Sequence, residues 1–282
     1  MNIFQTPDEI RQYLAPLRQQ RIAFVPTMGC LHDGHVSLIQ KAKELADIVV
    51  VSIYVNPMQF GENEDFSQYP RDIEKDANIC KQAGVDVIFN PENLYPDDGA
   101  KITLKVGDMD RILCGASRQG HFDGVVTVVN MLFNIIQPNI AIFGEKDWQQ
   151  LAIIRRMVSD LHMPIEIIGS KIIRESDGLA MSSRNRYLTP DERQQSLALS
   201  QTMLIIKNSI KLGHKVPKSI QYGIDNLKKY DISPEYIEIR DKLTLNLENK
   251  ATEQSRIFIA TKIGNTRLID NSSLETEMEN TL

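Results

Sequence analysis

The stretch Ile22-Ala23-Phe24-Val25-Pro26-Thr27-Met28-Gly29-Cys30-Leu31-His32-Asp33-Gly34-His35 passes from an apolar run into a turn holding two glycines and two of the chain's five histidines. An amphipathic segment, residues 36–46, follows directly. This order predicts a strand, a tight turn and the first turn of a helix. Backbone N–H groups at a helix N-terminus lack intrahelical partners, and the helix dipole favours negative charge beside them. Gly29 and Gly34 permit positive φ and let a large anion approach the main chain. His32 and His35 then offer two imidazoles to one anion. On the residues alone three roles suit this turn: a nucleotide-phosphate cradle, a metal pair, or helix packing and capping. The H-x-x-H spacing serves a metal, but no neighbouring cluster supplies the four ligands that structural zinc takes.

Outward from the turn, strand-like runs occupy residues 22–26, 48–55, 85–89, 140–143 and 165–168. Helical patterns over 36–46, 72–83, 124–136 and 147–161 separate them. Apolar strands alternating with helices predict an α/β domain on a parallel sheet covered on both faces. Thr6-Pro7-Asp8-Glu9 has the form of a capping box with proline at the first helical position. Residues 102–106 fit an edge strand or a loop. Beyond about residue 176 the pattern changes. Thr189-Pro190-Asp191-Glu192 opens a helix to about residue 212, residues 215–230 read as a second helix, and 236–240 and 255–262 read as strands. The expectation is therefore a first domain over residues 1–176 and a small α+β domain over 177–282. The end of the chain, residues 271–282, is polar and acidic, and little order is expected there.

A length of 282 residues suits two domains better than one. Hydrophobic content of 42% and charged content of 24% belong to an ordinary globular chain. A net charge of −5 argues against a nucleic-acid binder. No apolar run of about 18 residues predicts a membrane span, and the N-terminus lacks the pattern of a signal peptide. The three cysteines, Cys30, Cys80 and Cys114, are odd in number and widely spread, which suits reduced thiols in the cytoplasm.

Ligands of open parallel sheets sit beyond the carboxyl ends of the strands. The polar clusters of this chain fall there. Asn56-Pro57-Met58-Gln59-Phe60-Gly61 follows the second strand, and Gly144-Glu145-Lys146-Asp147 follows the run ending at Phe143. Leu179-Ala180-Met181-Ser182-Ser183-Arg184-Asn185 follows the run ending near Ile173. Lys146 beside a helix start suits neutralisation of a phosphoryl group, although a solvated lysine has the same signature. Ser182, Ser183 and Arg184 offer two hydroxyls and a guanidinium for a triphosphate, or simply form a polar loop. Asp147 suits a helix cap, and Gln59 and Gln150 also fit surface amides. His121 reads as punctuation before a helix, and His162 and His214 as surface residues.

Taken in order, P-T-M-G-C-L-H-D-G-H (26–35), Y-V-N-P-M-Q-F-G (54–61), Y-P-R-D (69–72), G-H-F-D-G-V (120–125), F-G-E-K-D-W-Q-Q-L (143–151) and R-E-S-D-G-L-A-M-S-S-R-N (174–185) span nearly the whole chain. They resemble the pantothenate synthetases, the pantoate–β-alanine ligase family within the H-x-G-H nucleotidyltransferase superfamily. The resemblance implies a Rossmann-like first domain, a smaller lid domain, a homodimer, and the use of ATP and Mg²⁺. It implies condensation of (R)-pantoate with β-alanine through a pantoyl adenylate, releasing pyrophosphate and AMP. His32, His35, Lys146, Ser182, Ser183 and Arg184 then serve the triphosphate and catalysis, with His35 as proton donor. Met28, Gly29, Cys30, Leu31, Asp33, Gly34, Gly144, Glu145, Asp147, Ile173 and Met181 complete the ATP-binding set. Gln59 and Gln150, with Met28 and Asn56, take pantoate and β-alanine. Asp76 matches the position linked with magnesium, the ion being held mainly through phosphate oxygens. The loop 181–185 is expected to close over ATP. The alternative is another H-x-G-H enzyme, an adenylyl- or cytidylyltransferase, which AMP release distinguishes.

Overall fold

The computed structural model describes residues 1–61, 64 and 66–275. The chain divides into two compact units, Met1–Glu145 with Ile153–Ile173, and Lys146–Ala152 with the chain from Arg174 onward. The division near residue 174 lies close to the expected boundary. The grouping of Lys146–Ala152 with the second unit departs from the sequence expectation.

The first unit holds β1 (Asn2–Phe4), β2 (Ile22–Thr27), β3 (Ile48–Ile53), β4 (Val87–Phe89), β5 (Ile140–Gly144) and β6 (Glu166–Ser170). They form one sheet in the order β1-β4-β3-β2-β5-β6, and every pairing is parallel. Side chains alternate along β2. Ala23 and Val25 join Leu38, Ile39 and Ala42 of α2 (Asp33–Leu45) and Cys80 and Ala83 of α3 (Ile73–Ala83) in one buried cluster. Phe24 turns to the opposite face, where its ring meets Phe133 of α5 (His121–Ile136) edge-on at 6.2 Å. Each large apolar side chain so buried contributes about 1.5–3 kcal/mol, which holds the sheet from both sides. The chain runs β2, β3, β4 in one direction and returns to β5 on the far side of β2. Strand order therefore reverses between β2 and β5, the place where such sheets open a crevice at their carboxyl edge.

Local sequence accounts for most element ends. The Thr6 capping box opens α1 (Pro7–Leu14) as expected. Helix α5 begins at His121, three residues before the expected start, because Gly120 takes φ +77 and turns the chain into it. A short α4 (Leu113–Ser117) precedes it. Residues 102–106 form no strand: the Leu104 N–H donates to Thr127 Oγ1 at 3.0 Å and the Val106 N–H to Asp123 Oδ1 at 2.8 Å, so α5 side chains take the place of a ladder. After β5 comes α6 (Trp148–Asp160).

In the second unit α7 (Pro190–Ser196), α8 (Ala198–Lys211) and α9 (Val216–Lys228) precede an antiparallel sheet, β7 (Pro234–Asp241), β8 (Ser255–Ile263) and β9 (Thr266–Ser273). Leu199, Met203 and Ile206 of α8 and Leu227 of α9 pack with Ile239, Ile257 and Ile259 of the sheet. The single helix expected to run from 190 to about 212 is interrupted at Leu197, which separates α7 from α8. Strand β9 overturns the reading of residues 271–273 as loose tail, since Asn271 is buried. Residues 276–282 of that expected tail lie outside the described residues.

Candidate functional site

The histidine turn begins where β2 ends. Thr27 Oγ1 donates to the Ser52 carbonyl at 2.7 Å and accepts the Gly29 N–H at 3.1 Å. Gly29 takes φ +82, and a Cβ there would stand 2.8 Å from Asp76 Oδ2, so both conformation and space require glycine. Cys30 continues at φ +54. Beneath the turn Asp76, 2% exposed on α3, accepts the N–H of Cys30 on Oδ2 and that of Leu31 on Oδ1, each at 2.8 Å. A carboxylate thus pins two of the five residues that lie between strand and helix. At the position matched with magnesium, both carboxylate oxygens serve the backbone. Among the described residues no three His, Cys, Asp or Glu side chains gather as a metal set.

His32 is the N-cap of α2. Its Nδ1 accepts the Gly34 N–H at 3.1 Å, and His35 Nδ1 accepts the His32 N–H at 3.3 Å. The two rings lie 4.2 Å apart. A backbone N–H can only donate, so each Nδ1 is the unprotonated nitrogen and each neutral ring carries its proton on Nε2. The reciprocal capping therefore fixes both tautomers. Two Nε2–H donors stand at one helix N-terminus, the arrangement that suits an oxyanion. Asp33 is exposed in the same first turn.

The turn after β3 meets the end of β2. Asn56 is 1% exposed; its Oδ1 accepts the Met58 N–H at 3.3 Å and the Tyr95 hydroxyl at 2.7 Å. Its Nδ2 donates to Gln59 Oε1 and to the Gly124 carbonyl, each at 3.1 Å. Gln59 Nε2 donates to Met28 Sδ at 3.0 Å. Three of the residues expected at the substrate, Met28, Asn56 and Gln59, are thus in contact. Asn56 uses both lone pairs and both amide hydrogens inside the protein, the arrangement of a support for this turn. Gly124 lets α5 approach this turn, for a Cβ there would fall 2.3 Å from the Met58 carbonyl oxygen. His121 is more than punctuation: its Nδ1 meets the Gln59 carbonyl at 2.7 Å, and its Nε2 meets Arg118 at 2.9 Å. Arg118 in turn pairs with Glu64 at 2.6 Å.

The other expected residues are distributed along later segments. Gly144 closes β5, Glu145 follows it, and Ile173 is the last residue of the first unit. Lys146, Asp147 and Gln150 belong to the second unit. There the Lys146 carbonyl accepts from Asn271 Nδ2 at 2.8 Å, and Asn271 Oδ1 accepts from Arg256 at 2.6 Å. The Arg256 guanidinium lies 3.5 Å from the centre of the Trp148 ring, whose Nε1 donates to the Lys242 carbonyl at 2.8 Å. These ties give the physical reason that Lys146–Ala152 groups with β8 and β9. Met181, Ser182, Ser183 and Arg184 follow a tight turn at Gly178, φ +94. Ser182 Oγ accepts the Arg184 N–H at 3.3 Å and caps a 3-10 turn, Ser183–Tyr187. Asn185 is buried and donates to Glu175 at 2.6 Å and to the Ala180 carbonyl at 3.0 Å. The loop expected to close over ATP is thus braced at its far end. Sequence reading misses Tyr95, Arg118, Arg256 and Asn271, since no local spacing joins them to the motifs they support.

The chain matches the family model described as pantoate-beta-alanine ligase over residues 2–273. It is 47% identical over 285 residues to the pantothenate synthetase of Vibrio cholerae, covering 99% of this chain and 97% of that one. It is 45% identical over 280 residues to that of Pelobacter propionicus, covering 97% and 98%. Among solved structures, pantothenate synthetase from Thermus thermophilus superposes with a TM-score of 0.93 at 40% identity, covering 98% of this chain and all of that one. The pantoate-beta-alanine ligase of Francisella tularensis, complexed with beta-gamma ATP and β-alanine, gives 0.82 at 36% identity and 98% of each chain.

Proposed function

The chain belongs to the pantoate-beta-alanine ligase family, and from that premise we propose that it joins (R)-pantoate to β-alanine in two steps at the expense of ATP. A pantoate carboxylate oxygen attacks the α-phosphorus of ATP, and the bond to the bridging oxygen breaks to release pyrophosphate. The β-alanine nitrogen then attacks the acyl carbon of the adenylate, loses a proton, and AMP departs. The observation that carries this reading is the pair of backbone-fixed imidazoles, whose Nε2–H donors suit the phosphates of a nucleotide.

The residue chemistry follows. His32 and His35 donate to phosphate oxygens, with His35 serving the oxygen on which charge grows as pyrophosphate leaves. Lys146, Ser182, Ser183 and Arg184 supply the remaining charge and donors for the triphosphate. Met28, Gly29, Cys30, Leu31, Asp33, Gly34, Gly144, Glu145, Asp147, Ile173 and Met181 complete the nucleotide's surroundings. Gln59 and Gln150 orient pantoate. A neutral amide holds a carboxylate without quenching its charge, whereas an arginine would stabilise the ground state of the nucleophile. Asp76 already accepts one backbone N–H on each carboxylate oxygen, so at most it adds a single protein ligand to magnesium. The ion arrives on the phosphates of ATP, and no step here is assigned to it. The proposal includes a homodimer, which sedimentation velocity checks, and a reducing, cytoplasmic setting, which suits three buried free cysteines.

Pyrophosphate–ATP exchange with pantoate present and β-alanine absent tests the two steps. Exchange that requires pantoate is the expected result. No exchange with ATP, pantoate and pyrophosphate present and β-alanine absent would remove the adenylate.

A further inference from the structure

The geometry points to Tyr95 as a positioning residue of the substrate site, one that acts through Asn56 to decide which end of the Gln59 amide faces the ligand. This rests on the assignment of Gln59 to pantoate. An amide side chain can rotate by half a turn with little change in shape, exchanging an acceptor for a donor. For Asn56 that ambiguity is removed by its neighbours. The Gly124 carbonyl can only accept, so it takes Nδ2; the Met58 N–H can only donate, so it takes Oδ1. The Tyr95 hydroxyl, meeting the same Oδ1 at 2.7 Å, must therefore donate. Its contact is much shorter than the 3.3 Å bond from Met58 and is the firmer hold on that oxygen.

With Oδ1 held on one side, the second hydrogen of Asn56 Nδ2 points at Gln59 and selects Oε1 as its acceptor. Gln59 is left with Nε2 at its other end, against the weakly accepting sulfur of Met28. A thioether is an easily displaced partner. The amide thus presents N–H donors, which select an oxygen acceptor such as a hydroxyl or carboxylate. The phenol suits the task, since burial, reinforced by nearby Tyr54, pushes its pKa further above neutrality and keeps its proton in place. Tyr95 itself is half-buried in the irregular segment after β4, where its own N–H donates to Asn93 Oδ1 at 3.0 Å.

The test is steady-state kinetics on Tyr95→Phe, Gln59→Ala and the double variant, with melting curves for each. Tyr95→Phe removes one oxygen atom and is expected to raise the KM for pantoate roughly tenfold, leave the KM for ATP within about twofold, and spare the melting temperature. In the Gln59→Ala background the same change should add nothing, because the amide it orients is gone. A purely structural Tyr95 would cost the same in both backgrounds and shift both KM values, and that result overturns the proposal. If Gln59→Ala raises the pantoate KM while Tyr95→Phe leaves it unchanged, the relay alone is wrong. If Gln59→Ala spares pantoate, the assignment of Gln59 fails and the role of Tyr95 falls with it.

Discussion

The histidine turn is held by its own backbone: Asp76 accepts the N–H groups of Cys30 and Leu31, and the two imidazoles accept those of Gly34 and His32. Lys146, expected to serve the same phosphates, has its backbone held by a side chain 125 residues later in the chain, Asn271 of β9. The first arrangement is built from one short motif plus one carboxylate. The second needs the C-terminal sheet to be in place. A turn fixed through main-chain donors keeps its geometry as long as its acceptor survives, whereas a lysine anchored by a distant amide depends on a chain of side-chain contacts, Trp148 to Arg256 to Asn271.

The most severe way to break the contrast is Asp76→Ala. Two backbone N–H groups in a buried turn would lose a charged acceptor, at roughly 3–5 kcal/mol of stability. Urea denaturation should show that loss, and pantoate-dependent exchange should fall by more than about a hundredfold as the imidazoles lose their frame. Wild-type stability in this variant would mean that the turn holds itself.

Lys146→Ala comes next and separates chemistry from scaffolding. Its ammonium lies 3.8 Å from Asp147, an ion pair with that partner half-exposed, so it adds little to stability. If Lys146 is the phosphate donor proposed, its loss should lower kcat/KM by roughly a hundredfold, about 3 kcal/mol, with the melting temperature unchanged. A drop in melting temperature as large as that of Asp76→Ala would erase the distinction between the two segments.

The same contrast explains what can be read from sequence. The histidine turn is legible because its strand, glycines, caps and helix are contiguous, and each is dictated by residues a few positions apart. The parallel sheet is legible for the same reason, through β-branched runs alternating with amphipathic ones. Strand β9 is not. Asn271, Ser272 and Ser273 belong to a polar stretch that reads as solvated, yet Asn271 is buried against Lys146 and Arg256, and the neighbouring Asp270 forms a two-pronged pair with Arg174 at 2.7 and 3.0 Å. Polarity predicts exposure only when the partners of the polar groups are unknown. Asn56 shows a different limit. Its place beside Gln59 in one motif gives no sign of the four internal hydrogen bonds that tie it to Met58, Gln59, Tyr95 and Gly124. The motif marks the right neighbourhood without separating ligand from support.

The smallest expected effect is the most discriminating. Asn271→Asp keeps the oxygen that meets Arg256 and turns that contact into an ion pair, while replacing the N–H₂ that holds the Lys146 carbonyl by a second oxygen. Asn271→Ala removes both contacts. The alanine variant should lose about 1–2 kcal/mol of stability, and the aspartate variant less, because its stronger bond to Arg256 offsets part of the loss. In exchange assays the order should invert: the aspartate repels the Lys146 carbonyl and should raise the KM for ATP several-fold, at least as much as alanine does. An aspartate variant with wild-type KM for ATP would show that Lys146 is placed by the 3-10 turn of Glu145–Asp147 alone. The two segments proposed for phosphate would then be held by the same local means, and the dependence of Lys146 on the C-terminal sheet would be withdrawn.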